Sequence, residues 1–155
     1  MLQLSYMTRN WFKKIEGQEP FEKAPLMDIY YLCLLIGIYS NKTPEQIMDA
    51  QPAFLPKSGW PSEYKENSNL IVSLFLNAEI DRFLIDRKDK DAIKDHISQY
   101  LDPQSIINLS AYGINHLNNY AYTGFLLIKE KLGEEPAETN SFLNDYNKLL
   151  SSYCH

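Results

Sequence analysis

Cysteine, histidine and glycine are scarce in this chain, and each scarcity removes a class of chemistry. The 155 residues include 2 Cys, 3 His and 6 Gly. Cys33 and Cys154 lie far apart and form no CxxC pair, and no secretory leader precedes them, so a reducing, cytoplasmic setting is expected. His96, His116 and His155 fall in no HxxxH or HExxH arrangement, so no metal centre is expected. The glycines build neither a phosphate loop nor a dinucleotide fingerprint, and no GxSxG elbow occurs. No catalytic residue and no cofactor are therefore assigned, and an enzyme is not the expectation.

Excess positive charge is also missing. The formal net charge is -5, which disfavours broad attraction to nucleic acid, where affinity rests on phosphate neutralisation by Lys and Arg. The apolar run Leu26 to Tyr39 is shorter than the roughly 20 residues a membrane span requires, so no membrane association is expected.

What is present is apolar, aromatic and helical in pattern. Hydrophobic residues make up 45% of the chain, enough for one core at this length, and 11 Tyr and 7 Phe add rings that suit both a core and a contact surface. The run Leu26 to Tyr39 is interrupted by Asp28 and Gly37, and a second run extends from Leu70 to Ile85. Helix signals outnumber strand signals. The expected fold is all-α, a compact bundle of about six or seven helices around a central apolar helix. One domain covers 1–155, with 1–19 as a peripheral N-terminal segment, 51–67 as a proline-rich connection and 133–138 as a linker.

Local signals place the elements. Tyr6, Trp11, Phe12 and Ile15 fall near helical spacing before Gly17, which predicts a short amphipathic N-terminal helix, with an extended start over Leu2 to Tyr6 as the alternative. Pro25 suits a first helical turn, with Asp28 complementing the dipole, for a helix reaching Tyr39. Thr43-Pro44-Glu45-Gln46 carries a cap and a first-turn proline, which predicts a short helix to about Ala50. Ser68 is the expected cap of a helix from Asn69 to Ile85, taken as the central one, with Ser73, Asn77 and Asp81 as its one polar stripe.

Asp86 to Asp95 alternates in charge and leads into a helix carrying Ala92, Ile93, Ile97, Tyr100 and Leu101. Asp102-Pro103 is expected to open the next helix, running to Leu132 or breaking near Tyr122 to Gly124, with Gly113 and Gly124 permitting close packing or a kink. Gly133 ends it, and Thr139 is expected to cap a last helix that buries Phe142, Tyr146, Leu149 and Leu150.

Candidate contact residues follow from chemistry rather than from a motif. Trp60, in the proline-rich connection, is either a plug that pins the loop or an exposed contact ring. Asn115, His116, Asn118 and Asn119 beside Tyr120 and Tyr122 form the densest polar group, read either as a hydrogen-bonding contact surface or as the polar side of an amphipathic helix. Arg9, Lys13 and Lys14, with Arg82, Arg87, Lys88 and Lys90, are the candidate nucleic-acid contacts. Glu134, Glu135, Glu138, Asp81 and Asp86 are the candidate acidic contacts of an inhibitor that would cover a basic nuclease.

A resemblance adds a setting. Pro20-Phe21, the Asp28 to Gly37 run, the leucine-rich Leu70 to Leu84 segment and Tyr120-Ala121-x-x-Gly124-Phe125 resemble small helical accessory proteins of bacterial DNA phosphorothioation (Dnd-type) and related anti-phage defence systems. The likeness covers roughly 20–132. In that family the late motif reads nearer Tyr-Ala-Asn-Gly-Gly, whereas Tyr122 and Thr123 stand here. The resemblance implies an accessory subunit beside larger ATPases or nucleases, without catalytic residues. Three functional expectations stand together: a non-catalytic adaptor working by protein-protein contact, with self-association included; an acidic inhibitor; and a DNA-binding accessory.

Overall fold

A computed structural model describes residues 1–154. Six helices form: α1 Tyr6–Trp11, α2 Pro25–Tyr39, α3 Ser68–Arg82, α4 Lys90–Ser98, α5 Ala111–Leu132 and α6 Thr139–Tyr153. No sheet occurs among the described residues, where β-pairing is limited to isolated bridges at Ser5 with Ala50 and Leu101 with Leu109. The all-α expectation holds.

The centre is the crossing of α2 on α5, the most extensive helix-helix contact in the fold. Glycines make it close. A Cβ on Gly124 would lie 1.7 Å from the Cys33 carbonyl oxygen, and one on Gly37 would lie 2.0 Å from that of Tyr120. Such backbone proximity is open only to residues without a side chain. Gly113 does the same at the start of α5, where a Cβ would meet the Tyr100 carbonyl oxygen at 2.3 Å.

Around this crossing, Trp11, Phe12, Phe125 and Phe142 form an edge-to-face cluster with centroids 4.8 to 6.4 Å apart, which ties α1 and α6 to α5. The Tyr146 hydroxyl donates to the Leu32 carbonyl at 2.6 Å and holds α6 on α2. One cluster of buried side chains runs from Leu2 to Leu149.

Several expectations change. The central helix is α5, not α3: thirteen of its residues are buried, from Gly113 to Ile128, whereas α3 buries Ile71, Phe75, Glu79 and Ile80 and leaves Leu70 exposed. The apolar run of α3 is thus partly spent on its surface. Helix α5 also runs unbroken through Tyr122 to Gly124, because close packing on α2 holds its glycines in helical geometry.

No helix forms over 43–50. That segment is an extended strap laid on α5, where the Glu45 N–H donates to Thr123 Oγ1 at 2.7 Å and the Ile47 N–H to Asn119 Oδ1 at 3.0 Å. Tertiary hydrogen bonds replaced the local cap. The strap continues antiparallel to the extended start of the chain, with Tyr6 N–H donating to Asp49 and Gln51 N–H to Leu4. Both N-terminal expectations hold in sequence, strand-like over 2–5 and helical from Tyr6.

Asp102-Pro103 opens turns rather than a helix, and α5 begins only at Ala111, capped by the Ser110 hydroxyl accepting from Gly113 N–H. At α6 the cap is Glu138, whose carboxylate accepts from the Asn140 and Ser141 N–H groups. Thr139 is instead buried, its hydroxyl donating to Gln18 Oε1. Ser68 is likewise the first residue of α3 rather than its cap, and its hydroxyl donates back to the Lys65 carbonyl. No helix is long and apolar enough to cross a membrane among the described residues.

Candidate protein-contact site

The unusual chemistry of the molecule gathers at the C-terminal end of α3. Arg82 closes the helix, Phe83 follows it, and Leu84 turns the chain in the left-handed region at φ 56°. The Leu84 N–H donates to Asp81 and the Ile85 N–H to Ile80, the paired bonds of a Schellman stop. Glycine usually holds that position because a Cβ is strained there. The other three non-glycine residues with positive φ are Asn41, Asp49 and Asn108, types that tolerate it. Leu84 is the bulky exception, and it is 90% exposed.

Directly behind this turn lies a carboxylate removed from solvent. Glu79 is fully buried, and Arg82 grips it with Nε at 2.7 Å and Nη2 at 3.1 Å. The same guanidinium stacks over the Phe83 ring at 4.3 Å. Glu79 Oε1 also lies 3.7 Å from His116 Nδ1 on α5. Burial holds the His116 imidazole below its ordinary value; Glu79 opposes that shift and Arg82 adds to it. Burial likewise lifts the Tyr120 hydroxyl, pushed up to about 12 with Glu79 reinforcing the rise.

A row of rings extends from the turn. Phe83 packs on His96 at 4.8 Å, His96 on Tyr100 at 5.3 Å, Tyr100 on Tyr112 at 5.2 Å and Tyr112 on His116 at 4.3 Å. Tyr100 is fully buried, whereas Phe83 and Tyr112 are 46% and 43% exposed. The row therefore presents an apolar edge at both ends of a rigid aromatic spine. Next to it a groove of about 570 Å³ opens between α2, α3 and α6, bordered by Lys42, Asn77, Arg82, Tyr120 and Tyr153.

The residues singled out from sequence fare differently. Trp60 is 7% exposed and plugs the core under the proline-rich connection, so it offers no contact ring. Asn119, Tyr120 and Tyr122 are buried, Tyr120 with its ring on Phe75 of α3 and Asn119 with its Oδ1 accepting from the Ile47 N–H. Asn118 is buried too, accepting from Tyr30 Oη at 2.8 Å and from Gln3 N–H at 3.1 Å. Of that polar group only Asn115 is exposed, while His116 is half-buried against Glu79. They do not form one free face.

The charged candidates are largely cancelled by neighbours. Arg9 pairs with Glu16, Lys14 with Glu135, Arg87 with Asp81, and Glu138 is committed to its cap. Lys13 and Lys88 are exposed, Lys88 beside Asp86 and Asp89. No three of His, Cys, Asp and Glu converge in a metal-holding group among the described residues.

Glu79, Phe83, Leu84 and Tyr112 escaped the sequence reading. One signal existed: Glu79 stands three residues before Arg82, the spacing of a helical ion pair. For Leu84 there was none, since apolar residues at a helix end do not announce their dihedral angles. Comparisons with protein-family models, with curated proteins and with solved structures find no match to this chain.

Proposed function

We propose that this chain is a non-catalytic subunit or adaptor that acts by protein-protein contact through the Phe83-Leu84 knob and its aromatic row. The setting is the one its family resemblance implies, the bacterial cytoplasm, beside a larger ATPase or nuclease of a DNA-modification or anti-phage defence complex. One observation carries the reading. A leucine occupies the left-handed turn that glycine would fill without strain, and its side chain lies almost wholly in water. Neither the strain nor the exposure benefits the isolated fold, and strain that persists without a structural return marks a functional position.

The supporting geometry is preorganisation. The Arg82 guanidinium, fixed by a buried carboxylate and stacked on Phe83, stiffens the base of the knob, which lowers the entropy lost on docking. Arg9, Lys14 and Arg87 each pair with an acid, which favours contact by apolar side chains over electrostatic capture of DNA or of a basic nuclease.

The test separates stability from binding. Leu84→Gly relieves the dihedral strain, and the purified protein is expected to gain up to about 1 kcal/mol against urea. The same substitution, and Leu84→Asp, should weaken partner retention about tenfold or more, since a buried leucine contributes about 1.5–3 kcal/mol. Tagged wild-type chain expressed in its native host is expected to retain a larger protein that Leu84→Asp, with an unchanged helical spectrum, does not. Retention of the same proteins by both would refute the reading.

A further inference from the structure

We infer that the groove between α2, α3 and α6 is a binding site for a small organic anion, a phosphate or carboxylate carried on a planar ring. The volume of about 570 Å³ is that of a small-molecule site. The decisive feature is how Arg82 is held. Glu79 occupies the Nε and Nη2 side of the guanidinium, at 2.7 and 3.1 Å, and Phe83 covers one face. Among the described residues, the end-on edge, with both Nη1 hydrogens and the second of Nη2, is engaged by no carboxylate or carbonyl oxygen, and its neighbour is the Tyr120 hydroxyl. That planar edge matches the two oxygens of a carboxylate or phosphate.

A fully buried carboxylate is costly to desolvate even when it is paired, so Glu79 contributes little to stability for what it costs. Glu79 aims Arg82, the role of an outer residue that orients a binding one, and it leaves the groove itself lined by the cation. The other borders agree. Tyr120 is 3% exposed, yet borders the groove beside Arg82, and its hydroxyl stays protonated at neutral pH as a donor. Lys42 supplies a second cation from the segment after α2, and Asn77 an amide from α3.

Among the described residues two features oppose an anion, and each already has a partner. Asp81 borders the groove but is tied to Arg87 at 2.5 Å. The Gly37 carbonyl, in the last turn of α2, is already taken by the Ser40 hydroxyl at 3.0 Å. Tyr39 and Tyr153 also line the groove, which suits a ligand whose body is a planar ring. The site shares Arg82 with the base of the knob, but neither Phe83 nor Leu84 lines it, so it does not depend on the adaptor reading.

The test uses phenyl phosphate as the probe, with inorganic phosphate and phenol as its two halves, followed by amide chemical shifts of the full chain. Phenyl phosphate is expected to move the Lys42, Asn77 and Tyr153 amides saturably, about tenfold more tightly than inorganic phosphate, and phenol is expected to leave them in place. Lys42→Gln, at an exposed position, should weaken binding several-fold. Arg82→Lys keeps a charge beside Glu79 while removing the planar edge, and should weaken it about tenfold. No saturable shift at these amides with phenyl phosphate at millimolar concentration overturns the assignment. So does equal binding of phenol, or binding unchanged in both variants.

Discussion

At the scale of single residues, the molecule is defined by a carboxylate and a leucine in places their types avoid. Glu79 lies in the interior with Arg82 reaching it from one turn away, and the cost of its burial is offset in part by two hydrogen bonds. Its second neighbour, His116, makes this pair sensitive to pH. Because burial holds the folded-state value of His116 below its ordinary 6.5, the unfolded chain binds more protons than the native one just beneath that pH. The contribution of the neutral imidazole to stability is therefore complete above 6.5 and is lost as pH falls through the depressed folded value. Asp28 acts in the opposite sense lower down, since burial raises its carboxyl from 3.8 and native protonation then favours folding. The urea midpoint of the wild type is expected to fall on acidification from neutrality towards about pH 5, and His116→Gln to flatten that slope. An identical slope in the variant would remove His116 as its source. Glu79 was legible only as half of a helical ion pair, because spacing shows that two side chains can meet and not that one of them is sealed from water.

At the scale of elements, the sequence disclosed which segments are helical better than it disclosed where they start. Helix α2 runs from Pro25 to Tyr39 as its first-turn proline and dipole-matched Asp28 imply. Caps misled because several residues near each helix start can accept from a free N–H, and tertiary partners choose among them. Thr139 was claimed by Gln18, which left Glu138 to cap α6. The glycines of α5 were informative: Gly113 and Gly124 sit where backbones approach. In an isolated helix Gly→Ala gains about 1 kcal/mol. Here Gly124→Ala places a methyl group 1.7 Å from the Cys33 carbonyl oxygen, so α2 must move away from α5. The expected outcome is a loss of about 3 kcal/mol or more in urea unfolding, the reverse of the helix-propensity sign. A neutral or stabilising Gly124→Ala would mean that the two helices do not cross at their glycines.

At the scale of the whole molecule, apolar content was a poor guide to position. The segment 70–85 reads greasier than 111–132, yet α5 holds the centre and α3 the flank. What the hydropathy pattern could not carry is that the polar groups of α5 face other parts of the chain. Asn118 joins Tyr30 to the N-terminal segment, and Asn119 and Thr123 hold the 45–47 strap, whose continuation pairs with residues 2–6. Buried amides and hydroxyls thus replace apolar contact as the means of closing this side of the fold. Thr123→Val preserves shape and removes the acceptor of the Glu45 N–H, at an expected cost of about 1–3 kcal/mol. Asn119→Ala removes the neighbouring acceptor of the Ile47 N–H. Because both bonds secure one short strap, breaking either lets it lift, and the double variant should cost less than the sum of the two singles. Hydrogen exchange checks the mechanism: the Glu45 and Ile47 amides should lose protection together in each single variant, while the amides of α2 keep theirs. Strict additivity, or loss confined to one amide, would show that the strap is fastened at two independent points and is not the single cooperative flap that these bonds describe.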